Sequence, residues 1–169
     1  LRHWLAEYSF ELVHIRHIAW HSVELPRLAR ESGAAVIFSF HDYYSVCPTT
    51  KLIDGDGQFC GGRCTTGTEP CRPQLWSGPE SFPPLRDFWV HRWREIMRDA
   101  LEPCDAFVTT SPSTRERILA IMPTIDADRF HVIPHGRDFP SFRRAGTAPD
   151  RQLKILVAGN IDYSKGAEI

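Results

Sequence analysis

Three short runs gather imidazole, guanidinium and carboxylate groups: Val13–His17 (VHIRH), Ser39–Pro48 (SFHDYYSVCP) and Val132–Gly136 (VIPHG). His14, Arg16 and His17 alternate with Val13 and Ile15, while His41 and Asp42 follow directly on the apolar run Ala34–Phe40 (AAVIFSF). Three imidazoles and a guanidinium suit a sugar-phosphate or a hydroxyl-rich ligand, because both groups supply N–H donors and Arg16 always carries charge. A fourth run, Val157–Gly166 (VAGNIDYSKG), sets Lys165 beside Gly166 at a candidate helix start. There an ammonium and free backbone N–H groups would act together on a diphosphate, and Gly159 would let a ligand approach the backbone closely.

The cysteines pose a separate question. Cys47, Cys60, Cys64 and Cys71 follow one another at intervals of 13, 4 and 7 residues. Four thiols so close in sequence could hold one tetrahedral zinc that orders a loop with no core of its own, and a closed Cys₄ shell would make that zinc structural. Unligated thiols and disulfides are the alternatives, the latter disfavoured in a reducing compartment. Cys104, at the edge of a strand, reads as a small buried apolar residue.

These groups need elements to place them. Segments rich in Val, Ile and Phe recur between helical stretches, the alternation of an α/β domain with a mostly parallel, Rossmann-like sheet and flanking helices. Arg2–Tyr8 reads as the end of a helix, and Phe10–Ile18 as a strand that buries Leu12, Val13 and Ile15. A helix capped at His21-Ser22 follows, with Pro26 in its first turn and Gly33 at its end. Ala34–Phe40 has no charge and reads as a strand covered on both faces, delivering His41 and Asp42 to its C-terminal end. Residues 43–84 lack periodicity and carry several glycines and prolines, so they form a long irregular insertion.

Leu85–Leu101 reads as a helix whose stripe is Phe88, Trp89, Trp93, Ile96, Met97 and Leu101, with Arg92, Arg94, Glu95 and Arg98 left polar. Phe82, Phe88, Trp89 and Trp93 pack the insertion onto the domain or shape an apolar acceptor groove. Asp105–Thr110 is a strand, Ser113 caps a helix with Glu116 at capping-box spacing, and Arg129–Ile133 is another strand. Pro140–Arg151 reads as a linker before the strand Leu153–Ala158.

Composition narrows the function classes. The 169 residues are 42% hydrophobic and 24% charged, with 11 Gly and 13 Pro, which excludes a disordered or collagen-like chain. Lys and Arg number 20 against 21 Asp and Glu, without a long basic run, so a general nucleic-acid binder is disfavoured. The apolar stretches are far shorter than the roughly 20 residues that span a bilayer. The chain begins at Leu1 and ends at Ile169 where a helix begins, so it reads as part of something longer.

Taken in order, the runs VHIRH, SFHDYYSVCP, VIPHG and VAGNIDYSKG resemble bacterial glycosyltransferases of the GT-B fold, family four-like. That family's pattern has a strand ending in V-H-x-H, a later strand ending in H-D, an I-P-N-G or I-P-H-G hinge and a strand-loop G-R-x-x-x-x-K-G. The resemblance implies an incomplete GT-B N-terminal, acceptor-side domain over residues 1–139, a linker over 140–152, and the first strand and helix start of the donor-side domain over 153–169. It implies a hexosyltransferase that moves a sugar from a nucleotide-diphospho-sugar to a hydroxyl of a glycan, polysaccharide or lipid-linked sugar, with retention at the anomeric carbon.

By the same resemblance, His41 and Asp42 are the catalytic-site residues, with His41 in contact with the substrate near the reacting sugar. His14, Arg16 and His17 bind substrate, and Gly159, Asn160, Lys165 and Gly166 the donor. The chemistry needs no cofactor, and the enzyme is cytoplasmic, at most peripheral at the inner face of the membrane, with this portion alone inactive. Two positions depart from the pattern: Arg16 replaces the second His of V-H-x-H, and Asn160 replaces the Arg of the strand-loop. A nucleotide-sugar epimerase of the same architecture, or a non-catalytic zinc-stabilised module that binds a glycan or protein, are the rival readings.

Overall fold

The computed structural model describes residues 2–47, 49–54, 56–64 and 89–136. Cys71, Phe82, Phe88, the linker at 140–152 and the donor-side residues Gly159, Asn160, Lys165 and Gly166 lie outside them. The chain divides into two units, Leu1–Pro134 and His135–Ile169, and every element below belongs to the first.

Four strands form one sheet in the order β1-β2-β3-β4: β1 Leu12–Ile15, β2 Ala35–Phe40, β3 Ala106–Thr109 and β4 Phe130–Val132. All three pairings are parallel, with His14 opposite Ile37, Phe38 opposite Phe107 and Phe107 opposite Phe130. The helices are α1 Arg2–Tyr8, α2 Leu25–Glu31, α3 Val90–Leu101 and α4 Pro112–Ile121. Strands and helices thus alternate in the α/β manner expected, and parallel order sends every strand's C-terminal end to the same rim.

One face of the sheet carries the core. Val36, Phe38 and Phe40 alternate along β2 and are all buried, and Phe40 stacks on Phe130 at 5.1 Å and approaches Phe107 at 5.9 Å. Such ring contacts contribute about 0.5–1.5 kcal/mol each beyond the area they bury. The opposite face of β2 is less covered than its continuous apolar run predicts: Ala35 and Ile37 are half-buried. β1 is shorter than expected and lies at the sheet's edge, so Leu12 is 52% exposed and Val13 half-buried, and only Ile15 reaches the core.

Helix ends show where local chemistry decided the boundaries. Gly33, at φ 92°, closes α2: its N–H bonds the Arg30 carbonyl and the Ala34 N–H reaches back to Ala29 at 3.3 Å. This paired closure requires a left-handed residue, which only glycine adopts without strain. The helix starts later than a His21-Ser22 cap would have it, since Glu24 is the N-cap and Ser22 Oγ instead accepts the Glu24 N–H at 3.2 Å. Ser113 does not cap α4 either. Pro112 takes the first helical position, moving the cap to Ser111, and the two hydroxyls bond each other at 2.7 Å.

The described part of the insertion is irregular, with a single bridge between Ile53 and Phe59. It is nevertheless anchored. Tyr44, Val46, Cys47 and Leu52 are buried, and Trp93, fully buried in α3, donates its indole N–H to the Tyr44 carbonyl. Arg94, expected on the polar face, turns inward to the Val46 and Gly62 carbonyls at 2.9 and 3.0 Å. Trp89, expected in the apolar stripe, stands 54% exposed at the N-cap of α3. No helix among the described residues is long and apolar enough to cross a membrane.

Candidate functional site

The C-terminal ends of β1 and β2 bring His14, Arg16, His17, His41 and Asp42 onto one rim, the place where open parallel sheets bind ligands. They meet in three cross-strand pairs. His14 Nε2 lies 2.7 Å from Ser39 Oγ, Arg16 Nε donates to His41 Nε2 at 3.1 Å, and His17 Nε2 lies 3.3 Å from Asp42 Oδ2. Each pair spans the same 25 residues of sequence. The strand register sets His14 against Ile37, so its ring leans two residues forward, along the face that Ile37 and Ser39 share.

Backbone groups fix the deeper half of the rim. Ala19 N–H donates to His17 Nδ1 at 3.0 Å, so the ring proton of neutral His17 is on Nε2, facing Asp42. Asp42 Oδ1 accepts the Tyr44 N–H at 2.8 Å. Burial pushes the Asp42 carboxyl up, but the hydrogen bonds from His17 and Tyr44 and the nearby charge of His17 and His41 together outweigh it, and Asp42 sits below its ordinary range. It is therefore a carboxylate at neutral pH. Tyr44 in turn packs between the His17 ring at 5.1 Å and the Trp93 ring at 5.0 Å. Below the rim, Thr109 Oγ1 donates to the Phe40 carbonyl at 3.2 Å, tying β3 to the residue before His41.

A groove of ≈ 540 Å³ is lined by His14, Arg16, His17 and His21 together with the apolar Trp4 and Phe10. The rim thus offers N–H donors and one guanidinium around a single, already hydrogen-bonded carboxylate. That arrangement can bind hydroxyls and anions, and none of its described side chains is set up as a nucleophile.

All five rim residues singled out from the sequence converge. Sequence reasoning missed Ser39, Ala19 and Tyr44; the constant spacing between VHIRH and SFHD reveals Ser39 once the two strands are known to be parallel neighbours, while Ala19 and Tyr44 act through backbone N–H groups two residues beyond His17 and Asp42. His14 is exposed and bonded to a hydroxyl.

Cys47, Cys60, Cys64 and Cys104 are free thiols, so no disulfide joins the described cysteines. Cys47 Sγ lies 3.0 Å from Thr49 Oγ1, Cys60 Sγ donates to the Leu52 carbonyl at 3.1 Å, and Arg94 donates to Cys64 Sγ at 3.5 Å. Burial pushes the Cys64 thiol up despite Arg94, and pushes buried Cys104 up to about 12, leaving both protonated at neutral pH. Among the described residues no three His, Cys, Asp or Glu side chains converge to hold a metal ion. The fourth candidate ligand, Cys71, lies outside them.

The chain is 31% identical over 101 residues to an alpha-maltose-1-phosphate synthase of Mycolicibacterium smegmatis, which covers 57% of this chain and 23% of that protein. The chain therefore spans less than a quarter of that relative's length within the match. No solved structure matches it. The model of Glycosyltransferase Family 4 matches residues 1–139, which contain the whole sheet and its rim, and the chain belongs to that family.

Proposed function

We propose that the protein carrying this chain is a retaining glycosyltransferase that moves a hexosyl unit from a nucleotide-diphospho-sugar to an acceptor hydroxyl, and that this chain supplies the acceptor side. The observation that carries the reading is the set of three cross-strand pairs at the ends of β1 and β2, within the residues that match the family. In this reading His41 and Asp42 contact the reacting sugar, and His14, Arg16 and His17 the rest of the acceptor. The bond from the anomeric carbon to the diphosphate breaks as the bond to the acceptor oxygen forms, and the acceptor proton leaves toward the departing diphosphate. Lys165 and the backbone at Gly159, Asn160 and Gly166 would stabilise that diphosphate as the sugar becomes oxocarbenium-like.

The relative's name describes a synthase whose product is a sugar phosphate, so phosphorylated sugars join glycans and lipid-linked sugars among the acceptors to try. The reading places the enzyme in the cytoplasm, at most peripheral to the membrane. The test is to incubate the intact protein with a panel of nucleotide sugars, with and without acceptors. Acceptor-dependent release of nucleoside diphosphate supports transfer; sugar conversion without acceptor indicates an epimerase, and neither reaction removes the catalytic reading.

The same proposal includes a structural zinc on Cys47, Cys60, Cys64 and Cys71. To bind it, Cys47, Cys60 and Cys64 would exchange their present partners, Thr49, the Leu52 carbonyl and Arg94, for the metal. One equivalent of zinc in the purified protein supports this, and full thiol titration with no metal removes it.

A further inference from the structure

We propose that Arg16 is a positioning residue for His41, holding its imidazole in the tautomer whose proton is on Nδ1. The contact is Arg16 Nε to His41 Nε2 at 3.1 Å. A guanidinium has five N–H donors, no acceptor and no accessible neutral form, so Arg16 can only donate. His41 Nε2 is then the acceptor, and in a neutral ring the proton goes to Nδ1. A histidine at position 16, as in the V-H-x-H pattern, donates in one tautomer and accepts in the other, leaving its partner undetermined. Arg16 is thus a one-way substitute for a two-way residue.

The neighbouring pair shows the same device in the opposite sense. The Ala19 N–H on His17 Nδ1 puts that proton on Nε2, directed at Asp42. Two adjacent imidazoles are therefore set in opposite tautomers by donors that cannot reverse, one a backbone amide and one a guanidinium. Arg16 thus holds His41 Nε2 as an acceptor, which is then not the atom that takes a proton from an acceptor hydroxyl, and the ring's own donor is at Nδ1.

This inference rests on the reading of His41 as a sugar contact only for its consequence, and its test needs no substrate. The chain labelled with ¹⁵N-histidine is examined by long-range ¹H–¹⁵N correlation, with the His41 signals assigned through His41→Gln. The wild type is expected to show His41 as the Nδ1–H form alone. Arg16→Met is expected to shift it to a mixture rich in the Nε2–H form that an unconstrained neutral histidine side chain prefers, and Arg16→Lys, which keeps a donor and no acceptor, to retain the wild-type form. Wild-type His41 found as Nε2–H, or the same tautomer in wild type and Arg16→Met, overturns the proposal. In the intact enzyme, Arg16→Met is expected to lower kcat with KM for the donor little changed. A tautomer shift without loss of kcat overturns the role assigned to it, whereas absence of any transferase activity leaves the spectra to decide alone.

Discussion

Charged residues gather both where the parallel strands begin and where they end, but to different effect. At the edge where the strands begin, Arg30 forks onto Asp105 at 2.7 and 2.8 Å, and the same carboxylate accepts the Val36 N–H at 2.8 Å. Nearby, Arg129 caps the Cys104 carbonyl at 2.9 Å. Each cation there ends on a carboxylate or a carbonyl that joins one element to the next. At the rim where the strands end, Arg16 ends on an imidazole, His14 on a hydroxyl and His17 on a carboxylate. Charge at the first edge joins one element of the fold to the next; at the rim, Arg16 meets no carboxylate among the described residues, an arrangement suited to an anion.

The comparison can be broken most forcefully at the rim. His41→Ala and Asp42→Asn in the intact enzyme are expected to lower kcat by roughly 10²-fold or more, the scale of a lost transition-state contact, with the melting temperature little moved. Melting and turnover measured on the same preparations check it, and parallel loss of both would place these residues with the fold. The opposite edge should behave in reverse. Asp105→Ala removes the Arg30 fork and the acceptor for Val36, and is expected to cost about 1–2 kcal/mol, reduced by the partial exposure of the pair, with turnover per folded molecule unchanged. The denaturant midpoint reads this out.

A finer contrast lies in pH. Because Asp42 is held below its ordinary range when folded, its contribution to stability is fully present above the unfolded carboxylate value, near pH 4, and fades as pH falls through the lower folded value. The difference in melting temperature between wild type and Asp42→Asn is therefore expected to shrink from pH 6 to pH 3. Since the carboxylate is partly exposed, the whole effect should stay under about 1 kcal/mol. The smallest effect is expected at Arg27, whose bridges to Glu24 and Glu31 lie on the solvent face of α2 and serve neither edge. Arg27→Ala should leave both melting temperature and turnover as they are.

Much of the fold was legible because long-range order was written in local pattern. The short, uncharged apolar run Ala34–Phe40 reads as a sheet strand, and Trp93, Met97 and Leu101 mark the buried stripe of α3. What escaped was decided by neighbours. Leu12 looks as apolar as Ile15, yet it is exposed because β1 lies at the edge. Arg94 looks like a solvated helix residue, yet it turns in because the insertion's carbonyls need donors there. Ser113 matched a capping pattern, but Pro112 outcompeted it by fixing the helix start. The rim residues were recognisable by type and by their place at strand ends, while their pairing depended on strand register, which no single motif contains.

The uniform spacing of the three rim pairs has a consequence for how the site arises. Every one of them closes within the stretch from His14 to Asp42, a single strand-helix-strand unit with α2 as its crossover. As the chain leaves the ribosome, this stretch emerges before the cysteine-bearing insertion, α3, β3 and β4 have been made. The rim is thus specified by a short module of low contact order, which can assemble early and be inherited as one piece while the segments after it vary in length and content.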